Sequence, residues 1–156
     1  MWRKQKLKKK KKNKVLIIHG PNLHLLGKRE KNIYGSFTLK ELEKELKEKG
    51  KKLGLEVINF QSNFEGEIVE KITKAEYDFL IINPAGYTHT SVTIRDAILA
   101  REKPTIEVHI SNIFSREPFR QKSLISDAVK GVICGLGKNS YFLALEAAQI
   151  FLSEKR

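Results

Sequence analysis

Val15-Leu16-Ile17-Ile18 and Phe79-Leu80-Ile81-Ile82 decide the fold of this chain. Each is a short apolar run without alternation. A strand with one face in water alternates apolar and polar residues; a strand covered on both faces does not, and such strands belong to parallel sheets. Working outward, further short apolar runs stand at 55–60, at 105–110 and at Val132-Ile133-Cys134. Helical patterns separate them. Leu39, Leu42, Leu46 and Leu53 fall at spacings of three, four and seven, which sets them on one helical face. Thr38 and Glu41 have the spacing of a capping box, and Gly54 is placed to stop the helix. Further helices are expected near 65–75, 91–101 and 140–154, with a less regular stretch at 112–127 that has room for a short helix. Five strands alternating with helices specify a doubly wound α/β domain with right-handed crossovers. The flavodoxin-like five-stranded parallel sheet, order 2-1-3-4-5, is the leading arrangement.

The chain has 156 residues, the size of one domain, and its 40% hydrophobic content suits a globular protein. The net charge of +12 suggests a polyanion partner until it is divided along the chain. Residues 1–14, MWRKQKLKKKKKNK, hold nine basic residues and no acid, which leaves +3 for the other 142. Like charges at that density oppose compact structure, so residues 1–13 are expected to form a disordered basic tail ahead of a catalytic domain over 14–156. A solubilising role is expected of it, and nucleic-acid binding is the less favoured reading. No apolar stretch follows it as a signal peptide requires, and no run reaches the ~20 apolar residues of a membrane span. One cysteine, Cys134, rules out an internal disulfide and points to a reducing, cytoplasmic setting, with the residue itself expected in the core.

In an open parallel sheet, ligands bind beyond the carboxyl ends of the strands, near the point where strand order reverses. Four segments sit there: Gly20-Pro21-Asn22; Asn83-Pro84-Ala85-Gly86-Tyr87-Thr88-His89; His109-Ile110-Ser111-Asn112; and Gly135-Leu136-Gly137-Lys138. The first three are rich in Asn, His and Ser, which suit a small polar ligand. The fourth lacks the third glycine of a dinucleotide loop and follows the last strand instead of the first. Asn139 stands where a P-loop needs Ser or Thr. His19, His24, His89 and His109 form no HExxH pattern, so no metal site is expected, and no GxSxG elbow is present.

Gly20-Pro21-Asn22-Leu23-His24-Leu25-Leu26-Gly27-Lys28-Arg29-Glu30, closing with Tyr34-Gly35, resembles the first signature of the type II 3-dehydroquinate dehydratases. Asn83-Pro84-Ala85-Gly86-Tyr87-Thr88-His89-Thr90-Ser91 and Glu107-Val108-His109-Ile110-Ser111-Asn112 resemble the second and third, with Arg116 and Arg120 following. The resemblance runs from about Val15 to the end. It implies dehydration of 3-dehydroquinate to 3-dehydroshikimate through an enolate, with no cofactor, metal or lysine imine. It further implies Tyr34 as base, Arg29 as its electrostatic partner and His109 as acid, supported by Asn22 and Glu107. Asn83, His89, Asp96, Ile110, Ser111 and Arg120 resemble the substrate-binding set. Asp96 is implied to reach a neighbouring subunit's site, in trimers assembled into dodecamers.

These residue types suit that reaction. A tyrosine hydroxyl ordinarily titrates near ~10, so a tyrosine base working near neutrality needs ~3 units, or roughly 4 kcal/mol, in favour of the phenolate. A permanently charged guanidinium nearby can supply much of that. Arg29 and Tyr34 lie five residues apart between Gly27 and Gly35, in one segment able to act as a lid. Glu107 and His109, two apart in a strand, share a face, and a carboxylate beside an imidazole fixes its tautomer and favours the proton-donating cation. Arg116 and Arg120 would share a face if helical. A small flavodoxin-like lyase or isomerase with another polyhydroxy acid, and a flavin- or nucleic-acid-binding module, are the rival readings.

Overall fold

The computed structural model describes residues 8–154. The elements run β1 (Asn13–His19), α1 (Lys31–Tyr34), α2 (Leu39–Lys52), β2 (Leu55–Gln61), α3 (Glu65–Lys74), β3 (Phe79–Asn83), α4 (Val92–Arg101), β4 (Thr105–His109), β5 (Gly131–Cys134) and α5 (Asn139–Glu154). All strand pairs are parallel and the order is β2-β1-β3-β4-β5, as the sequence implied. Residues 1–7 of the expected tail lie outside the described residues; residues 8–12 are exposed and carry no regular structure. The sheet begins at Asn13, opposite Leu55, one residue before the expected boundary. Among the described residues, no helix is long and apolar enough to cross a membrane.

The non-alternating strands are buried on both sides. Val15 and Ile17 of β1, with Phe79 and Ile81 of β3, join a core beneath α2 and α5. Leu16, Ile18, Leu80 and Ile82 join a second core on the opposite face, beneath α3 and α4. Leu42 and Leu46 of α2 are fully buried in the first core, each worth roughly 1.5–3 kcal/mol relative to exposure. The capping box of α2 forms: Glu41 N–H donates to Thr38 Oγ1 at 3.2 Å and Thr38 N–H to Glu41 Oε2 at 2.9 Å. Gly54 follows at φ 73°, a value that suits glycine.

Two expectations change. Cys134 is half-buried, and Val132 beside it is exposed, because β5 is the edge strand with fewer neighbours to cover it. The stretch 112–127 holds three short 3₁₀ turns, Ile113–Ser115, Pro118–Gln121 and Ser126–Ala128, and no α-helix.

The sheet register aligns the strand ends that matter. His19 is opposite Asn83, and Ile82 opposite Glu107, so the exits of β1, β3 and β4 stand side by side where the order reverses. Gly20 makes this possible. Its N–H donates to the Asn83 carbonyl at 2.8 Å, and a Cβ there would lie 2.7 Å from the Pro84 oxygen.

Candidate active site

At that reversal point lies a cavity of about 210 Å³. Its walls come from the loops after β1, β3 and β4. Of the residues singled out from sequence, Asn22, Arg29, Tyr34, Asn83, His89, His109, Ile110, Ser111 and Arg120 all line it. Glu107 stands behind His109. Asp96 lies exposed on α4, outside this cavity. The loop after β5 does not reach it either; Gly135 instead packs against Asn112. Asn22 (φ 68°) and Ala85 (φ 51°) line the cavity in the left-handed region, which alanine adopts at a cost of about 1–3 kcal/mol.

Tyr34 closes α1, and its oxygen faces two guanidinium groups. Arg116 Nη1 donates to it at 2.7 Å and Arg29 Nη2 at 3.5 Å. Both guanidinium carbons also stand over the ring, at 5.3 and 5.1 Å from its centre. The sequence paired Tyr34 with Arg29; the structure makes Arg116 the nearer partner. Arg116 is also the more buried, its side chain 12% exposed against 36% for Arg29, and Arg29 divides itself with Glu30 at 3.0 Å. Arg116 and Arg120 share no helix face, since Arg116 is extended and Arg120 sits in a 3₁₀ turn. They converge through Glu117, whose carboxylate takes Arg120 Nε at 2.7 Å and lies 3.8 Å from Arg116 Nε. Three arginines in one small cavity suit an anionic ligand.

His109 is held from behind. Its Nε2 donates to Glu107 Oε1 at 2.6 Å, and Glu107 is fully buried. Thr88 Oγ1 donates to the same oxygen at 2.5 Å, and Ser126 Oγ to Oε2 at 2.7 Å. Burial pushes the Glu107 carboxyl up, but the His109 contact and the two hydroxyl donors together hold it below the usual carboxylate range. His89 presents Nδ1 to the Lys122 carbonyl at 2.7 Å. A carbonyl only accepts, so that nitrogen carries the proton. The hydroxyls of Thr88, Ser123 and Ser126 went unassigned in the sequence; only Thr88 lay inside a recognised motif.

Asn83 is oriented by a second buried network. Its Oδ1 accepts from Ala85 N–H at 3.1 Å, and its Nδ2 donates to Tyr141 Oη at 3.0 Å. Tyr141 meets His19 Nδ1 at 3.2 Å, and His19 Nε2 meets Asn59 Oδ1 at 3.0 Å. Since Tyr141 accepts from Asn83, its own proton goes to His19, leaving His19 neutral with Nε2 protonated. Burial, only partly offset by the Asn59 contact, lowers the His19 pKa to about 4. Among the described residues, no group of three or more His, Cys, Asp or Glu side chains is placed to hold a metal ion.

A doubly wound α/β domain whose cationic, histidine-bearing cavity opens at the strand-order reversal is the scaffold of a small-molecule enzyme. Residues 13–149 match the family described as Dehydroquinase class II. The 3-dehydroquinate dehydratase of Aeromonas hydrophila is 54% identical over 139 residues, spanning 88% of this chain and 93% of the relative. That of Francisella philomiragia is 52% identical over 141 residues, spanning 90% and 97%. The crystal structure of the type II dehydroquinase from Propionibacterium acnes is similar with TM-score 0.85 at 42% identity, over 88% of this chain and 97% of that one. The chain belongs to the class II dehydroquinase family and is a hydro-lyase.

Proposed function

We propose that this cavity removes water from 3-dehydroquinate to give 3-dehydroshikimate, with Tyr34 as base and His109 as acid. The observation that carries the reading is the Tyr34 oxygen held between two guanidiniums in the same cavity as the Glu107–His109 pair. Arg116 and Arg29 stabilise negative charge on the phenol oxygen, which then takes the proton from the carbon beside the substrate ketone. Charge moves to the ketone oxygen as an enolate, where Asn22 orients a water. Collapse of the enolate expels the hydroxyl group as His109 protonates it, and Glu107 stabilises the imidazolium before and during that transfer. The proton on Tyr34 returns to solvent and His109 is reprotonated, so the balance is one water released.

The substrate is a small anionic polyol. Backbone amides at Ile110 and Ser111 receive its carboxylate, while Asn83, His89 and Arg120 bind its hydroxyls. The segment between Gly27 (φ 84°) and Gly35 (φ 89°) closes over it as a lid, excluding water from the enolate. Asp96, exposed on α4, serves a neighbouring subunit's cavity in a trimer-based dodecamer. The setting is the cytoplasm and the pathway is shikimate-dependent aromatic amino-acid biosynthesis, with the Lys-rich stretch ahead of β1 acting as a solubilising extension that takes no nucleic acid.

Incubation with 3-dehydroquinate tests the reading through the ultraviolet absorbance of the conjugated enone. Product is expected with chelator present and after borohydride treatment with substrate. Absence of the enone would refute the dehydration, and inactivation by borohydride would refute the enolate route in favour of an imine.

A further inference from the structure

The segment at 122–126, which runs into the 3₁₀ turn Ser126–Ala128, reaches both histidines of the cavity, His89 directly and His109 through Glu107. Its Lys122 carbonyl accepts from His89 Nδ1 at 2.7 Å. Its Ser126 hydroxyl donates at 2.7 Å to Glu107 Oε2, the carboxylate that holds His109. Ser123 ties the two contacts together. The single proton of Thr88 Oγ1 goes to Glu107, so at the 2.8 Å contact between the hydroxyls it is Ser123 that donates to Thr88. Ser123 Oγ in turn accepts from the backbone N–H groups of Ile125 at 3.0 Å and Ser126 at 2.9 Å.

The segment is itself anchored from two sides. Leu124 N–H donates to the Thr88 carbonyl at 2.7 Å, stitching it to the turn after β3. From α4, Arg95 donates to the Leu124 carbonyl at 3.0 Å and pairs with Asp127. Arg95 thereby fastens this segment to α4. Ile125 between the serines is fully buried in the core beneath α3 and α4.

We propose that residues 122–126 are the positioning element of the site, setting His89 through the Lys122 carbonyl and His109 through Ser126, Thr88 and Glu107. The inference deepens the reading of His109 as proton donor and rests on it. The physical content lies in where one proton sits. With both carboxylate oxygens occupied by hydroxyl donors, Glu107 stays an anion and the proton between it and His109 stays on the imidazole, ready for the leaving hydroxyl. Loss of one donor leaves a buried carboxylate oxygen short of a partner, which favours the neutral pair, carboxylic acid beside imidazole. That pair does not deliver a proton as well. Ser126, Ser123 and Thr88 are thus positioning residues acting through Glu107, with no contact to substrate required.

The test takes the full chain and four variants. Ser126→Ala and Thr88→Val each remove one donor; Ser126→Thr restores a hydroxyl; His109→Ala checks the underlying acid assignment. Turnover of 3-dehydroquinate is expected to fall about tenfold in kcat for the first two, with KM nearly unchanged, and to recover in Ser126→Thr. Carbon-13 NMR of the Glu107 carboxyl should show its titration moved to higher pH in Ser126→Ala and Thr88→Val, independently of activity. Long-range nitrogen-15 spectra should show His89 protonated at Nδ1. An unmoved Glu107 titration in both variants, an unmoved kcat, or His89 protonated at Nε2 alone overturns the proposal. Should Ser126→Ala unfold, the near-isosteric Thr88→Val carries the same test from the other oxygen. His109→Ala with undiminished turnover would instead overturn the acid assignment, while the Glu107 and His89 spectra still report on the network itself.

Discussion

Removing Arg116 should damage the enzyme more than removing Arg29, although Arg29 is the partner that the sequence resemblance suggested. The geometry sets the order. A full charge on Tyr34 Oη at 2.7 Å from Arg116 Nη1 interacts by about 6 kcal/mol at an effective dielectric near 20 and about 1.5 kcal/mol in bulk water. For Arg29, at 3.5 Å, the same limits are about 5 and about 1 kcal/mol. Exposure then decides where each falls. Arg116, the more buried, lies toward the upper limit and Arg29 toward the lower. Hydrogen bonds to charged groups are worth about 1.5–3 kcal/mol net, so Arg116→Ala should lower kcat by roughly 10- to 150-fold. Arg29→Ala should cost about tenfold or less. Because each change removes a cation that favours the phenolate, both pH–rate profiles should move to higher pH, that of Arg116→Ala further. Initial rates of enone formation from pH 5 to 10 at saturating substrate are the assay. A larger loss for Arg29→Ala, or an Arg116→Ala profile lying on the wild type, would refute this electrostatic ordering.

Other expected outcomes follow from single side chains. Tyr34→Phe should abolish turnover while leaving the circular dichroism spectrum and melting temperature close to wild type, since the half-buried ring stays; retained activity would remove Tyr34 from the base's role. His19 is lowered to about 4 when folded against ~6.5 unfolded, so the unfolded chain binds the extra proton between those values. Its contribution, on the order of 3 kcal/mol, is therefore complete above about pH 6.5 and drains away as pH falls toward 4. Melting temperatures over that window should drop for wild type and flatten for His19→Asn; parallel curves would contradict the buried neutral imidazole. Gly20→Ala drives a methyl group into the Pro84 and Asn83 carbonyls, and by the usual cost of overpacking should destabilise by about 1–3 kcal/mol in urea titrations. Deleting residues 1–12, which stops short of the first paired residue, should leave kcat unchanged, and a large loss would refute a passive tail.

The fold was legible because burial writes itself into composition. Val15-Leu16-Ile17-Ile18 is apolar throughout because alternate residues enter two different cores, and no other arrangement of a strand asks for that. The capping box at Thr38 was legible for a local reason: both its hydrogen bonds close within three residues. Tyr34, His109 and Asn83 were found because they lie in long motifs at strand ends. What stayed hidden depends on contacts distant in sequence. Arg116 reaches Tyr34 across 82 positions, and its partnership with Arg120 was sought on a helix that does not form. Ser126 and Thr88 meet Glu107 from opposite sides in sequence, and isolated hydroxyl residues have no spacing that announces such a meeting. Cys134 misled for the opposite reason, since an apolar run reads alike in a central strand and at a sheet edge.

The fixed amide of Asn83 has a consequence for what the cavity accepts. With one lone pair of its oxygen committed to Ala85 and one amide proton committed to Tyr141, it retains one hydrogen to offer and one lone pair with which to receive, each at a fixed place. A guest hydroxyl, which both accepts and donates, can answer the two together, and the fixed order of oxygen and nitrogen on the amide decides which way round it sits. The sense of that choice is written well below the cavity floor, by the phenol of Tyr141 on α5 and the imidazole at the end of β1. Swapping the selectivity would mean rebuilding the packing between sheet and final helix along with the asparagine itself.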